Sequence, residues 1–412
     1  MAQSEMQPLH QAVLDTERDA ARVYHKERQL RRTCSWLMLF FLFQGSLGAV
    51  WDREWHAYVG RDQFWTPPHT LIYSCVAGAG LIALSMVLSE TFRYRRDSTV
   101  VNDTSTVSIF GIFHAPLGYA VTGFGALIAL IAAPLDNYWH ELYGIDIAMW
   151  APFHMMGITG GLVGMLGMVY LFASEAAIDR ASDQPVRKFL GLSALEWGAL
   201  LVIAILMNFV LTGFLQFPLV MVSTLQISTY PLPLIAGALF CFVSATRLTR
   251  QPGVATIVAI FLFFNTLAVE LFVPWAIRTA AAQQGLDYRT PGHIPSFSIS
   301  YACLPLALLI SALVIDGFTY WSQRYARKHM QSLLSLTILG VLVTPPIALL
   351  APFILLTYSP YAPVFLISPG LTVPPTVLWS SIAVMSLAAL GMGAVGALLG
   401  YEFGEIWRWN IR

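Results

Sequence analysis

Residues 107–154 read VSIFGIFHAPLGYAVTGFGALIALIAAPLDNYWHELYGIDIAMWAPFH. From Val107 to Leu135 there is no Lys, Arg, Asp or Glu. About 20 apolar residues suffice to cross a bilayer as a helix, so this stretch predicts a span near 107–133. Directly beyond it the character changes to Asp136-x-x-Trp139-His140-x-x-x-Gly144-x-Asp146-x-x-x-Trp150-x-Pro152-x-His154, and a second apolar run begins at Pro152. Two spans joined by a polar, His-bearing connection is therefore the unit this stretch proposes.

The same unit stands earlier in the chain as Asp52-x-x-Trp55-His56-x-x-x-Gly60-x-Asp62-x-x-Trp65-x-Pro67-x-His69. Eight positions recur in the same order, with one extra residue before the second Trp of the later copy. On a helix, residues i and i+4 share a face with Cβ atoms about 5–6 Å apart. Asp52 with His56, and Asp136 with His140, can each grip one ion. His69 and His154 return just after Pro67 and Pro152, where a following helix opens. Each copy supplies two imidazoles and one carboxylate, a ligand set suited to a transition metal with open positions. Copper, iron and zinc all accept such ligands. Asp62 and Asp146 are placed either to orient a His ring by accepting its outer N–H or to cap the turn after Gly60 and Gly144.

Composition extends the span reading to the whole chain. The 412 residues are 57% hydrophobic and only 11% charged, with mean hydropathy +0.64. A soluble protein of this size needs a more charged surface. The expected class is an all-α polytopic membrane protein of about ten transmembrane helices arranged as helical hairpins. The spans fall near 34–56, 69–90, 107–133, 152–174, 193–214, 231–248, 254–274, 296–320, 332–357 and 375–400. Pro recurs where each even span opens (Pro67, Pro152, Pro231, Pro295, Pro375). The polar residues 1–33 predict a cytoplasmic segment with a short surface helix and no cleaved leader. Residues 34–190 then form a four-helix metal-binding half, and 191–412 a six-helix membrane region.

Of the 23 Lys and Arg, all but Arg53, Arg61, Arg278 and Arg289 fall on one side of this topology. By the positive-inside rule both termini are cytoplasmic. In a bacterial inner (plasma) membrane the metal motifs would then face the periplasm. Cys34, Cys75, Cys241 and Cys303 are widely spaced in or beside apolar runs and read as packing residues. His114, Glu270 and His293 lie outside the repeated pattern. His114 reads as a buried, hydrogen-bonded residue, and Glu270 as reaching the metal region or pairing with Arg278.

The spacing Asp52-x3-His56-x12-His69 with a following x-x3-His140-x13-His154 resembles the C subunit of the copper membrane monooxygenases, the particulate methane and ammonia monooxygenase family. There an Asp-His-His triad and a neighbouring Asn-His-His triad bind copper. The resemblance covers roughly residues 35–175 and implies copper at Asp52, His56 and His69 and at His140 and His154. Asp136 stands where the family has Asn. It also implies a small apolar substrate hydroxylated with O2, and partners in the form of other membrane subunits or a periplasmic copper or electron-donor protein. This chain is longer than the family's C subunit, which implies a distant or stand-alone relative. The other reading of the same ligands is non-enzymatic copper or zinc handling, by uptake or delivery. No nucleic-acid partner is expected.

Overall fold

In the computed structural model, the described residues are 2–60, 63–96, 105–144, 151–182, 185–213, 219–222, 225–228, 231–303, 305–324, 335, 337–345 and 375–408. Ten helices follow in chain order: α1 (Ala2–Tyr58), α2 (Pro67–Arg96), α3 (Leu117–Tyr143), α4 (Pro152–Ala181), α5 (Ala194–Gly213), α6 (Pro231–Thr249), α7 (Val254–Gln284), α8 (Ile299–Ala302), α9 (Leu306–Arg324) and α10 (Pro375–Arg408). A further helical stretch covers 337–345. Among the described residues, seven stretches are long and apolar enough to cross a membrane: His25–Tyr58, Pro67–Arg96, Leu117–Tyr143, Pro152–Ala181, Leu232–Thr249, Val254–Gln284 and Ser386–Arg408. Ala194–Val210 is a shorter apolar helix. The chain is thus a helical, multi-pass membrane protein in its architecture. Much of the ninth expected span, and the fifth outward connection, lie outside the described residues.

The Pro signals act where they were expected to act. Helices α2, α4, α6 and α10 each open on Pro, whose fixed φ suits the first turn and whose missing N–H is no loss there. The expected eighth span opens differently, as α8 from Ile299, and α9 follows from Leu306. The expected surface helix of 1–33 is continuous with the first span, since α1 runs unbroken from Ala2 to Tyr58.

A second difference concerns the third span, expected from residue 107. Residues 106–116 instead form an antiparallel hairpin, β1 (Thr106–Ile109) with β2 (Phe113–Pro116), and α3 begins only at Leu117. Gly111 at φ 68° turns the hairpin and Pro116 ends it. Apolar content alone does not distinguish a span from an apolar strand pair. Two more hairpins are β3 (Lys188–Phe189) with β4 (Leu192–Ser193), and β5 (Leu219–Val222) with β6 (Leu225–Ser228).

Small residues set the helix contacts. Along α3 and α4, Gly118, Gly125, Gly160 and Gly167 bring the backbones together. A Cβ on Gly125 would lie 2.4 Å from the Gly164 nitrogen, and one on Gly160 2.7 Å from the Ala129 nitrogen. Gly396, Gly400 and Gly404 make a second such seam, on which α10 rests against the Ala236, Phe240 and Ser244 carbonyls of α6. In lipid, close backbone approach of this kind gains the dispersion contacts that drive helix association.

At the end of the sheaf away from the repeated motifs, buried charges tie α1, α2 and α4 together. Arg31 pairs with Glu90 at 3.2 Å and with Glu27 at 2.5 Å, and Arg28 reaches Glu175 and Asp179, each at 3.1 Å. Arg32 also pairs with Asp179, and the Tyr119 hydroxyl donates to the Arg31 carbonyl at 2.7 Å. Breaking one partner out of such a buried pair typically costs about 3–5 kcal/mol. The cluster fixes the register of these three helices, and so the heights at which their far ends present ligands.

Candidate metal centre

The last turns of α1 carry Asp52 and His56, and the first turn of α2 carries His69. The i, i+4 spacing stacks the first two on one face, and the short connection returns His69 beside them. Asp52 Oδ1 lies 3.0 Å from His69 Nε2 and 3.8 Å from His56 Nε2. The second copy repeats this at the α3–α4 junction, where Asp136 Oδ2 lies 3.0 Å from His154 Nε2 and 3.4 Å from His140 Nε2. In each triad one donor atom per residue can be chosen so that all lie within 4.8 Å of one another. An ion bound by N and O ligands at about 2.0–2.2 Å holds neighbouring donors roughly 3 Å apart, so the shorter edges already have coordination geometry. In the second triad Asp136 Oδ1 is buried and accepts no hydrogen bond among the described residues. That carboxylate oxygen turned away from water is an acceptor a cation would satisfy.

Two of the four ring orientations are set by backbone carbonyls. His69 Nδ1 donates to the Gln63 carbonyl at 3.1 Å, and His140 Nδ1 meets the Gly144 carbonyl at 3.3 Å. Fixing the proton on Nδ1 leaves Nε2 as the ligating nitrogen. Asp62 and Asp146, which the sequence offered for such an orienting role, lie outside the described residues. The signal for Gly144 was present in the repeat. Its φ of 83° and ψ of 178° belong to a region essentially open only to Gly, and this conformation turns the carbonyl toward His140.

The two triads are neighbours. The His56 and His154 rings stand 6.4 Å apart between centroids, and His140 and His154 5.3 Å. His56 of the first triad and His154 of the second thus face each other. The four Trp of the repeat separate by environment. Trp55 is fully buried, Trp139 is half-buried against Tyr143 and Phe153, and Trp65 is exposed, while Trp150 lies outside the described residues.

Residues from the distant half complete the first triad's surroundings. Behind the ligand face, Val50 and Trp55 of α1, with Val59 just beyond its end, pack on Val269, Val273 and Ile277 of α7. The loop after α7 then crosses the end of α1. Arg289 donates from Nη1 to the His56 carbonyl at 3.1 Å and from its backbone N–H to the Tyr58 carbonyl at 2.8 Å. Its methylenes lie over Gly60, and the His293 ring packs on Tyr58 at 5.1 Å. Arg289 thus satisfies two of the carbonyls that a helix end leaves open. The division of the chain at residue 190 separates the ligands from the rest, but not the contacts that hold them.

The other singled-out residues have separate roles. Glu270 accepts from the Ser298 N–H at 3.0 Å, and Arg278 donates to the Pro295 carbonyl at 2.7 Å, so both hold the covering loop instead of pairing with each other. His114 is half-buried in β2, stacked on Tyr94 at 3.7 Å. The four cysteines are free thiols. No family model matches the chain, and no curated protein or solved structure matches it significantly.

Proposed function

We propose that the protein is a membrane-embedded copper oxygenase or oxygenase subunit, with Asp52, His56 and His69 holding one metal and Asp136, His140 and His154 a second. The observation that carries the reading is the pair of three-donor clusters, one His from each within 6.4 Å of the other between ring centroids. Copper bound there would supply the redox chemistry that activates O2 toward a small apolar substrate drawn from the bilayer. The chain's own residues do the rest. The carbonyls of Gln63 and Gly144 keep Nε2 of His69 and His140 turned inward. The apolar contact of Val50, Trp55 and Val59 with α7 would exclude water from behind the first triad. Electrons would come from a quinol or a partner subunit. In this reading the Arg-rich end of the sheaf lies in the cytoplasm and the triads face the periplasm of a bacterial inner membrane.

Elemental analysis of the purified wild type beside His56→Ala and His140→Ala tests the metal assignment. The expected result is two equivalents of copper in the wild type and one in each variant. A wild type that retains no transition metal overturns it. Oxygen uptake with quinol and an apolar substrate tests the activity. A protein that holds both metals, takes up no oxygen, and whose deletion strain grows poorly only when copper or zinc is scarce is a metal-handling protein instead.

A further inference from the structure

The two hairpins at the end of the sheaf opposite the triads share an unfavourable choice of residue. In β1–β2 the turn places Phe110 at φ 52° and Gly111 at φ 68°, and in β3–β4 it places Leu190 at φ 49° and Gly191 at φ 80°. Hairpin turns with two successive positive φ angles favour Asn or Asp before the Gly. A bulky side chain in the left-handed region strains the backbone. In water such a residue at a turn tip would add exposed apolar surface to that strain. Phe110 is 80% and Leu190 70% exposed, and Phe189 beside Leu190 is 68% exposed. The protein itself returns little to these side chains, yet the arrangement is built twice.

Direction and charge identify what does. The Phe110 ring leans on Phe124, at 6.2 Å, and Phe124 is an exposed residue two turns inside the membrane-crossing α3. The Phe189 ring lies 5.8 Å from Trp197 in the first turn of the apolar α5, whose indole N–H donates to the Phe189 carbonyl. Each tip is thus folded along the apolar flank of the following helix, toward the bilayer band. Exposed Arg95 and Arg96 flank the first hairpin, with Arg95 donating to the Ile112 carbonyl at 3.1 Å, and exposed Arg187 and Lys188 flank the second. Exposed aromatic and apolar groups with cations beside them is the pattern of a lipid interface.

We infer that the Phe110 and Leu190 turns are paired membrane anchors, inserted at the headgroup–acyl boundary of the leaflet opposite the triads and held there by anionic lipid. Burial of the two side chains in that boundary offsets the backbone strain, and the anchors fix the depth of α2–α5. This holds whatever the triads bind.

The test uses the full chain reconstituted in vesicles of phosphatidylcholine with phosphatidylglycerol. Nitroxide labels are placed at Phe110→Cys, Leu190→Cys and, as an exposed control, Gln284→Cys, with labelling of the native chain subtracted. The expected ratio of oxygen to water-soluble nickel-complex collisions is several-fold higher at both tips than at the control. A ratio equal to the control overturns the inference, as does one that rises with the density of chains in the vesicle, which would point to contact between copies. Phe110→Asn and Leu190→Asn give an independent reading, because Asn suits the left-handed turn. Lower thermal midpoints in these vesicles are expected, and raised midpoints overturn the inference.

Discussion

The two copies of the motif present matching ligands in unlike surroundings. In the first, His56 and His69 are buried and Asp52 half-buried, α7 packs behind the ligand turn, and Arg289 closes the helix end. In the second, Asp136, His140 and His154 are all half-buried, and Tyr138, Leu142 and Tyr143 beside them are exposed. Its support comes from below, through the glycine seam of α3 and α4. The ligand sets alone make the sites look equivalent. The ligand side chains themselves are about equally covered in the two copies, so what differs is the outer support, which α7 and Arg289 give to the first triad.

Removing the matched tryptophans gives the largest separation. Trp55 is fully buried among Val50, Val269 and Val273, whereas Trp139 is half-buried at the surface of its copy. Trp55→Ala is expected to destabilise the protein by about 3–5 kcal/mol, the usual cost of emptying a buried Trp site. Trp139→Ala should cost less than about 1.5 kcal/mol, because only part of that side chain's surface is covered. Thermal unfolding of both variants in one lipid composition measures the difference, and equal losses would show that the copies are packed alike.

What the sequence made legible was local. The i, i+4 pairs and the His after each Pro depend on helix geometry and on the first turn of the next helix, and these residues converge as their spacing implies. Proline likewise marked the starts of α2, α4, α6 and α10. Two kinds of feature escaped. The β1–β2 hairpin looked like membrane span because its residues are apolar, and only Gly111 and Pro116 signalled a turn and a late helix start. Arg289 looked like an unremarkable loop cation because its contact to His56 joins positions 233 apart in the chain. Nothing in spacing encodes a contact of that length. Asp316 illustrates the same limit: it accepts from the N–H groups of Ala255 and Thr256 and so caps α7 from α9.

Arg289 also provides the middle-sized test of the asymmetry. It touches the carbonyl of a ligand residue in one copy only, so Arg289→Ala should weaken metal binding at the first triad and leave the second unchanged. Outer partners of metal ligands are typically worth 10–100-fold in affinity. Competition with a chelator, read separately in His56→Ala and His140→Ala backgrounds, resolves the two sites. The expected loss appears only where the first triad is intact. In the native chain the second triad should empty first, and a chelator that removes both metals at one rate would erase the distinction.

The smallest effect lies in the two glycines that follow the ligand helices. Gly60 has φ 71° and Gly144 φ 83°, so Ala strains the backbone at either position. Among the described residues only the Gly60 methyl meets another group: its Cβ would stand against the Cδ of Arg289, whereas no described residue lies within 4 Å of a Cβ on Gly144. Part of the cost of Gly60→Ala is therefore pressure on Arg289 and should vanish when that side chain is shortened. A double-mutant cycle of Gly60→Ala with Arg289→Ala is expected to show a coupling of about 0.5–1 kcal/mol in unfolding free energy, as for residues in contact. The cycle of Gly144→Ala with Arg289→Ala should be additive to within about 0.5 kcal/mol. Equal couplings would mean that the loop over α1 senses both copies, and the first triad would then lose the private support that sets it apart.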